Sequence, residues 1–434
     1  MKSDPHEAIQ TTNARGTSPT GGEKHVELTP IHDFARKLRQ PDVLPRVREY
    51  VEWRSALAAD GASGTPNPPA LPGFAPISIN LDITTACNYA CDHCVDLAIL
   101  NQPIKYRHQS LLDSLELMAQ NGLRSVIVIG GGEPTVYPKF SETIRFLKEL
   151  RLQVAVVSNG SGNHKIAEVA DCLDENDWVR LSLDSGSDAI FQAMHKPKQP
   201  ITLDEICASV PPIKEINPRF KIGYSFIITW RGATIHDTAI VENLDEIVGG
   251  AERARRHRFD YIAYKPFLTR AEANNAEVVD LKDSNDHFAE VVARMRRAID
   301  RAKMLETDSF RVIETTNLKV LENRSYRDYS TQPRNCHMQF FRQVLSPLGM
   351  YNCPVYRNQP IGKVGPKEAY ATDGEFAATR ARTAERVENF DATHECREVT
   401  CLYNHVNWWI EDLIAHPEKL EEIVPETGAP DYFL

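Results

Sequence analysis

The chain has 434 residues, 42% hydrophobic and 25% charged, enough to bury one large core with smaller units beside it. Its formal charge of -10 argues against a general nucleic-acid or anionic-membrane binder, because both partners are held by excess Lys and Arg. No apolar run approaches the length of a membrane span and the N-terminus lacks a basic-then-apolar signal, so a cytoplasmic location is expected, where nine cysteines read as thiolate ligands or small buried groups rather than disulfides.

Residues 1–30 are polar, rich in Gly, Ser and Thr, and predict a disordered tail. Residues 31–75 carry Val47, Tyr50, Val51 and Leu57 at helical spacing, which predicts two short helices split at Pro41, followed by the linker "GASGTPNPPALPG". From Ile77 a strand-then-helix rhythm begins. "ISINLDI", "SVIVIGGG", "QVAVVSN", "WVRLSLD", "KIGYSFIIT" and "FDYIAYKPF" read as six strands, with amphipathic helical stretches between them and a last helix around Asp286 to Met304. The basic run "RARRHR" closes one of those helices, where cations favour the negative dipole end.

Short β-branched runs alternating with helices predict an α/β fold, a partial (β/α)6 TIM barrel over residues 76–305 with chemistry at the C-terminal strand ends. After Met304 the rhythm stops, and residues 306–434 form a less regular region holding the last four cysteines.

The loop after the first strand reads "DITTACNYACDHCVDL", with Cys87, Cys91 and Cys94 separated by three residues and then two. Structural zinc takes four protein ligands, and the one nearby extra donor, His93, lies between two of the cysteines. A four-iron cluster held by three thiolates keeps one iron without a protein ligand, open to bind something else. "CNYACDHC" resembles the cysteine loop of the radical SAM enzymes, in which the open iron binds the amino and carboxylate groups of S-adenosylmethionine. That family commonly has an aromatic residue before the last cysteine; His93 stands there instead.

The resemblance extends along the chain. "GGGEPT", at the end of the second strand, is similar to the family's GGE motif, and implies that Gly131, Gly132 and Glu133 support the methionine amino group. "SNG" and "LSLDS" end the third and fourth strands, and by the same resemblance Asn159, Ser182 and Asp184 are polar contacts to the cofactor. Each of these three also suits a helix cap. Tyr224, Ser225, Arg231, Tyr264, Lys265 and Arg270 lie on or after the fifth and sixth strands, with packing, surface pairing or ligand contact open for each.

Cys336, Cys353, Cys396 and Cys401 remain, together with Cys172 and Cys207, which fall in helical patterns and read as inert. Four thiolates suit either a closed second [4Fe-4S] cluster or a structural zinc. Their layout resembles the shortened auxiliary ("twitch") domain of radical SAM proteins related to the SPASM group, with spacings most like the butirosin-pathway aminocyclitol dehydrogenase. The closing pair is wider here, four residues rather than two. Trp408 and Trp409, on a following amphipathic helix, shield that site or fill core.

The resemblance implies reductive cleavage of S-adenosylmethionine to a 5'-deoxyadenosyl radical, hydrogen abstraction from a small-molecule substrate, and a low-potential electron donor such as flavodoxin or ferredoxin. With a second cluster as electron acceptor, the expected outcome is oxidation of an alcohol of a sugar or aminocyclitol. Redox-neutral dehydration or epimerisation, and modification of a ribosomal peptide, are the alternatives. Neither nucleic acid nor membrane is expected as a partner.

Overall fold

The computed structural model describes residues 28–63, 69–235, 238–271, 276–279 and 286–434; the predicted tail lies outside them up to residue 27. Eight strands run parallel in one sheet: β1 (Ser78–Leu81), β2 (Ser125–Val128), β3 (Gln153–Ser158), β4 (Trp178–Ser182), β5 (Lys221–Ile228), β6 (Tyr261–Pro266), β7 (Arg311–Glu314) and β8 (Arg342–Ser346). Two short antiparallel strands, β9 (Gly349–Tyr351) and β10 (Lys363–Gly365), complete the order β7-β6-β5-β4-β3-β2-β1-β8-β9-β10. The first six are the strands expected from the sequence. β7 and β8 come from beyond Met304 and extend the parallel strands at opposite edges; β7 runs straight into the helix Thr316–Asn323, whereas β8 is followed by the hairpin strand β9 and so breaks the strand-then-helix rhythm.

Alternation along the strands sorts two faces. Val126, Val128, Val154, Val156, Val179, Leu181, Tyr224, Phe226, Ile262 and Tyr264 pack outward into the main core under the helices. Asn80, Ile127, Arg180, Tyr261, Ile313 and Arg342 face inward and line one cavity of about 690 Å³. Ile313 and Arg342 sit on the first and last parallel strands, so the sheet curves until its two ends share a lumen, which is a partial barrel.

A second core joins the chain's beginning to its end. Phe34, Val47, Tyr50 and Val51 pack with Phe340, Phe341, Val406, Ile410 and Leu434. The two expected N-terminal helices are Phe34–Leu38 and Leu44–Ser63. The second is long rather than short, because Pro45 stands in its first turn, where a missing N–H costs nothing, and it runs into the expected linker as far as Ser63. At the N-terminal end of the barrel, Phe433 packs on Ile127, Ala155 and Val157, and Lys37 Nζ donates to its carbonyl at 2.6 Å.

Candidate functional site

The cysteine loop leaves β1 and is pressed onto the loop after β2. Gly132 N donates to Thr84 O at 2.7 Å and Glu133 N to Ala86 O at 2.8 Å. A Cβ on Gly132 would lie 2.0 Å from Ala86 O, and Gly131 adopts φ +72° with its Cβ position 2.6 Å from Thr84 O. These glycines therefore let one loop backbone approach the other, a need no side chain satisfies.

Other elements grip the same loop. Asn101 Oδ1 accepts from Cys87 N at 3.0 Å, Lys198 Nζ donates to Cys87 O at 2.8 Å, and Ala90 N donates to His195 O at 3.2 Å. Arg270 Nη2 donates to Val95 O at 2.7 Å, and Arg357, from beyond the barrel strands, pairs with Asp96. Backbone is thus fixed on both sides of all three cysteines.

The thiols of Cys87, Cys91 and Cys94 are half-buried and feel one another's charge. Burial pushes Cys94 up to about 12, and burial, followed by Cys94 and Cys87, pushes Cys91 well above the ordinary thiol range. Three crowded thiols are costly to ionise until a cation joins them, so the donor set fits a metal or iron-sulfur group that deprotonates its ligands. Sγ of Cys91 and a ring nitrogen each of His93 and His195 also lie within 4.8 Å of one another.

The remaining expected residues fall around this loop with different duties. The Glu133 carboxylate is buried and accepts four hydrogen bonds: from Thr135 N (3.0 Å), Thr135 Oγ1 (2.6 Å), Ser158 Oγ (2.7 Å) and Asn159 N (2.7 Å). Burial still raises its pKa. It ties the end of β2 to the end of β3. Asn159 Nδ2 donates to Asn88 Oδ1 at 2.9 Å, joining β3 to the residue after Cys87.

Asp184, at φ +51°, is fully buried. Its Oδ1 accepts from Ile227 N at 2.6 Å, and its Oδ2 lies 3.4 Å from His93 Nε2 and 3.3 Å from His195 Nε2. Burial raises its pKa, but the bonds and charges of His195 and His93 outweigh that and hold it below the carboxylate range. His195 Nδ1 is in turn 3.3 Å from Cys91 Sγ. Asp184 thus reaches the cysteine loop through histidines, a link invisible to spacing because His195 is 104 residues beyond Cys91. Ser182 faces inward on β4, opposite Ser225 of β5.

Of the six residues left open on and after β5 and β6, Tyr224 and Tyr264 are core, their hydroxyls donating to Ser185 O and Ile247 O. The Arg231 side chain is 85% exposed and faces Glu242. Arg270 braces the cysteine loop; Ser225 and Lys265 sit on the inner face of the sheet, opposite Tyr224, Phe226 and Tyr264 of the outer core, but outside the lining of the cavity of about 690 Å³. Arg180, also inward, was missed by the sequence reading. The alternation in "WVRLS" carries the signal, since placing Val179 and Leu181 outward turns Arg180 inward.

The second cysteine set converges. Cys336, Cys353 and Cys401 all raise Cys396, after burial, and Cys401 is pushed well above its ordinary range by burial and by Cys336 and Cys353. Asn407 Nδ2 donates to Cys336 Sγ at 3.5 Å, while His337 bridges Tyr50 OH (2.9 Å) and Glu411 Oε2 (2.5 Å). Cys353 and Cys401 line the lumen cavity. Cys207 is buried in the main core and Cys172 donates to Val169 O at 3.0 Å, away from both groups.

A partial barrel with three clustered thiols on its first loop is the architecture of the radical SAM enzymes. Residues 81–259 match the profile of the Radical SAM superfamily. An S-adenosylmethionine-dependent nucleotide dehydratase of Flammeovirga pacifica is 25% identical over 268 residues, 59% of this chain and 83% of that protein. One from a Thermoplasmatales archaeon (strain ISO4-H5) is 33% identical over 114 residues, and the mycofactocin maturase MftC of Mycobacterium ulcerans is 33% identical over 127. The chain spans only 39% and 32% of those two proteins. Streptococcus suis SuiB, in a crystal structure bound to S-adenosylmethionine, has the same fold at a TM-score of 0.51 and 12% identity, covering 76% of this chain and 71% of its own. The chain carries a radical SAM domain, and the cofactors of that family are a [4Fe-4S] cluster and S-adenosylmethionine. Among the described residues no helix is long and apolar enough to cross a membrane.

Proposed function

We propose that this protein is a radical SAM enzyme that oxidises an alcohol of a small polar substrate, sugar-like or aminocyclitol-like, bound in the barrel lumen. Cys87, Cys91 and Cys94 hold the first cluster, and Cys336, Cys353, Cys396 and Cys401 hold a second. When loaded, these groups and S-adenosylmethionine supply a 5'-deoxyadenosyl radical and an electron acceptor. The observation that carries the reading is the opening of the four-cysteine site, through Cys353 and Cys401, onto the cavity that the barrel strands enclose. A substrate in that cavity lies against the second site, in a lumen that runs from Cys353 and Cys401 to Asp177, Trp178 and Lys221 at the other strand ends; Cys87, Cys91 and Cys94 stand outside its lining.

The chain's own residues orient and enclose. The Gly131–Gly132 edge packs on the backbone of the cysteine loop, Asn159 ties β3 to Asn88 beside Cys87, Ser182 stands on the inner face of β4, and Glu133 and Asp184 fix the loop's neighbours in place. A low-potential flavodoxin or ferredoxin in the cytoplasm is the donor that suits this chemistry.

Dehydration is the second reading, supported by the names of the dehydratase relatives, one of which the chain covers over 83% of its length. Peptide modification draws support from the maturase relatives, over a shorter stretch. Anaerobically reconstituted protein with S-adenosylmethionine and dithionite is expected to form 5'-deoxyadenosine, and a Cys91→Ala control is not. Absence of that product from the native protein overturns the radical reading. Mass spectrometry of products from candidate substrates then separates loss of two hydrogens from loss of water.

A further inference from the structure

Buried cations in this protein are generally paired. Lys37 faces Asp431 at 3.1 Å, Lys148 faces Asp177 at 2.7 Å, Lys214 faces Asp260 at 2.9 Å, and Arg357 pairs with Asp96. Arg180 and Lys265, half-buried, depart from that pattern. Both project from the concave face of the sheet, Arg180 on β4 in the wall of the cavity and Lys265 on β6 beyond its lining, and neither makes a hydrogen bond or ion pair among the described residues. Arg180 stacks on Trp178 at 5.2 Å, which steadies the guanidinium but does not neutralise it.

The strand register gives the space between them. Arg180, Gly223 and Tyr261 form one row across β4, β5 and β6; Ser182, Ser225 and Ala263 form the next; Ile227 and Lys265 the third. The middle row is made of small residues, so the two cations border a gap. Among the described residues, Ser225 Oγ, fully buried in that row, and Arg180 Nε both lack a hydrogen-bond partner. The carboxylate that acts on both cations is Asp184, already committed to Ile227 N, His93 and His195. Burial and then Arg180 push Lys265 down to about 7, while burial, Lys37, Arg180 and Lys265 hold His32, across the cavity, near 3. Uncompensated positive charge in a low-dielectric lumen is expensive until an anion enters.

We infer that the lumen is built to receive a substrate carrying an oxyanion, a phosphate or a carboxylate, clamped between Arg180 and Lys265. The inference rests on the lumen being the substrate site and narrows its chemistry: an amine-bearing aminocyclitol without an acidic group meets repulsion there, whereas a phosphorylated or carboxylated alcohol meets two donors, Arg180 at mid-strand on β4 and Lys265 near the end of β6.

The test is isothermal titration of pyrophosphate, and in parallel malonate, into reconstituted holoenzyme with S-adenosylmethionine bound. Saturable binding of one anion per chain is expected, tighter for pyrophosphate if the group is a phosphate and for malonate if it is a carboxylate. Arg180→Met and Lys265→Met should each weaken it about tenfold or more, and Arg180→Lys should recover most of the loss. Arg231→Met, at an exposed cation, should change nothing. No saturable binding of either anion, or equal affinity in the Met variants, overturns the inference. Formation of 5'-deoxyadenosine in the same samples is read separately: its absence sinks the radical reading alone, and its presence without anion binding sinks this inference alone.

Discussion

The two cysteine groups are built by opposite means. The three-cysteine set comes from eight consecutive residues, Cys87 to Cys94, and its geometry is a property of one loop clamped by its neighbours. The four-cysteine set is gathered from 66 residues, Cys336 to Cys401, and exists only after β8, the helix Asn404–Ala415 and the N-terminal helix Leu44–Ser63 have packed together. A local site depends on backbone fit within its loop. A gathered site depends on the second core around it.

Removing one ligand from each set probes that contrast most strongly. Cys91→Ala is expected to abolish 5'-deoxyadenosine formation and to lower iron from about eight to about four per chain, measured by metal analysis after reconstitution. Cys401→Ala should lower iron by the same amount yet retain 5'-deoxyadenosine formation while losing the oxidised product. If Cys401→Ala leaves iron unchanged and removes zinc instead, the second set is structural.

Disturbing the supports gives smaller effects. Gly132→Ala drives a methyl into Ala86 O, and overpacking against backbone costs about 1–3 kcal/mol. Urea denaturation should register that loss, with iron retention falling at the first site and not at the second. The mirror experiment is Asn407→Leu, which removes the donor to Cys336 Sγ and the acceptor for Met338 N at 3.0 Å. A cost of about 1–3 kcal/mol with iron lost selectively from the second site is expected; iron lost equally from both would show the two sites to be one cooperative unit.

Between the sites, the lumen titrates. Lys265 feels Arg180 and the ionised Asp184, and itself acts on His32; its lowered value near 7, set by burial and then Arg180, means that it is protonated below that pH and loses its charge above it. An oxyanion raises the lysine's pKa on binding, so anion affinity should be flat below pH 7 and fall by up to about tenfold per pH unit above it. Lys265→Met should flatten that slope, and an unchanged slope in the variant would assign the titration elsewhere.

Much of this was legible without coordinates. Six strands were visible as short β-branched runs: β2 and β3, buried on both faces, are near-continuous apolar stretches, while β4 shows itself by alternation. The cysteine loop was visible because its ligands are neighbours in sequence, and "GGGE", "SNG" and "LSLDS" because each sits at a strand's end. Their division of labour was not: nothing in "GGGE" says that the glycines are spent on the backbone of residues 84–86, or that the Glu133 carboxylate is filled by four donors.

What the sequence alone determined is the local pattern, the strand-helix alternation and the three-thiol loop, since both depend on residues a few positions apart. Tertiary structure alone decided the rest: β7 and β8 at opposite edges of the sheet, the convergence of four distant cysteines, the Asp184–His195–Cys91 link and the unpaired lumen cations. Each of these joins residues whose separation along the chain bears no relation to their distance in space, and only closing the sheet into a barrel brings them face to face.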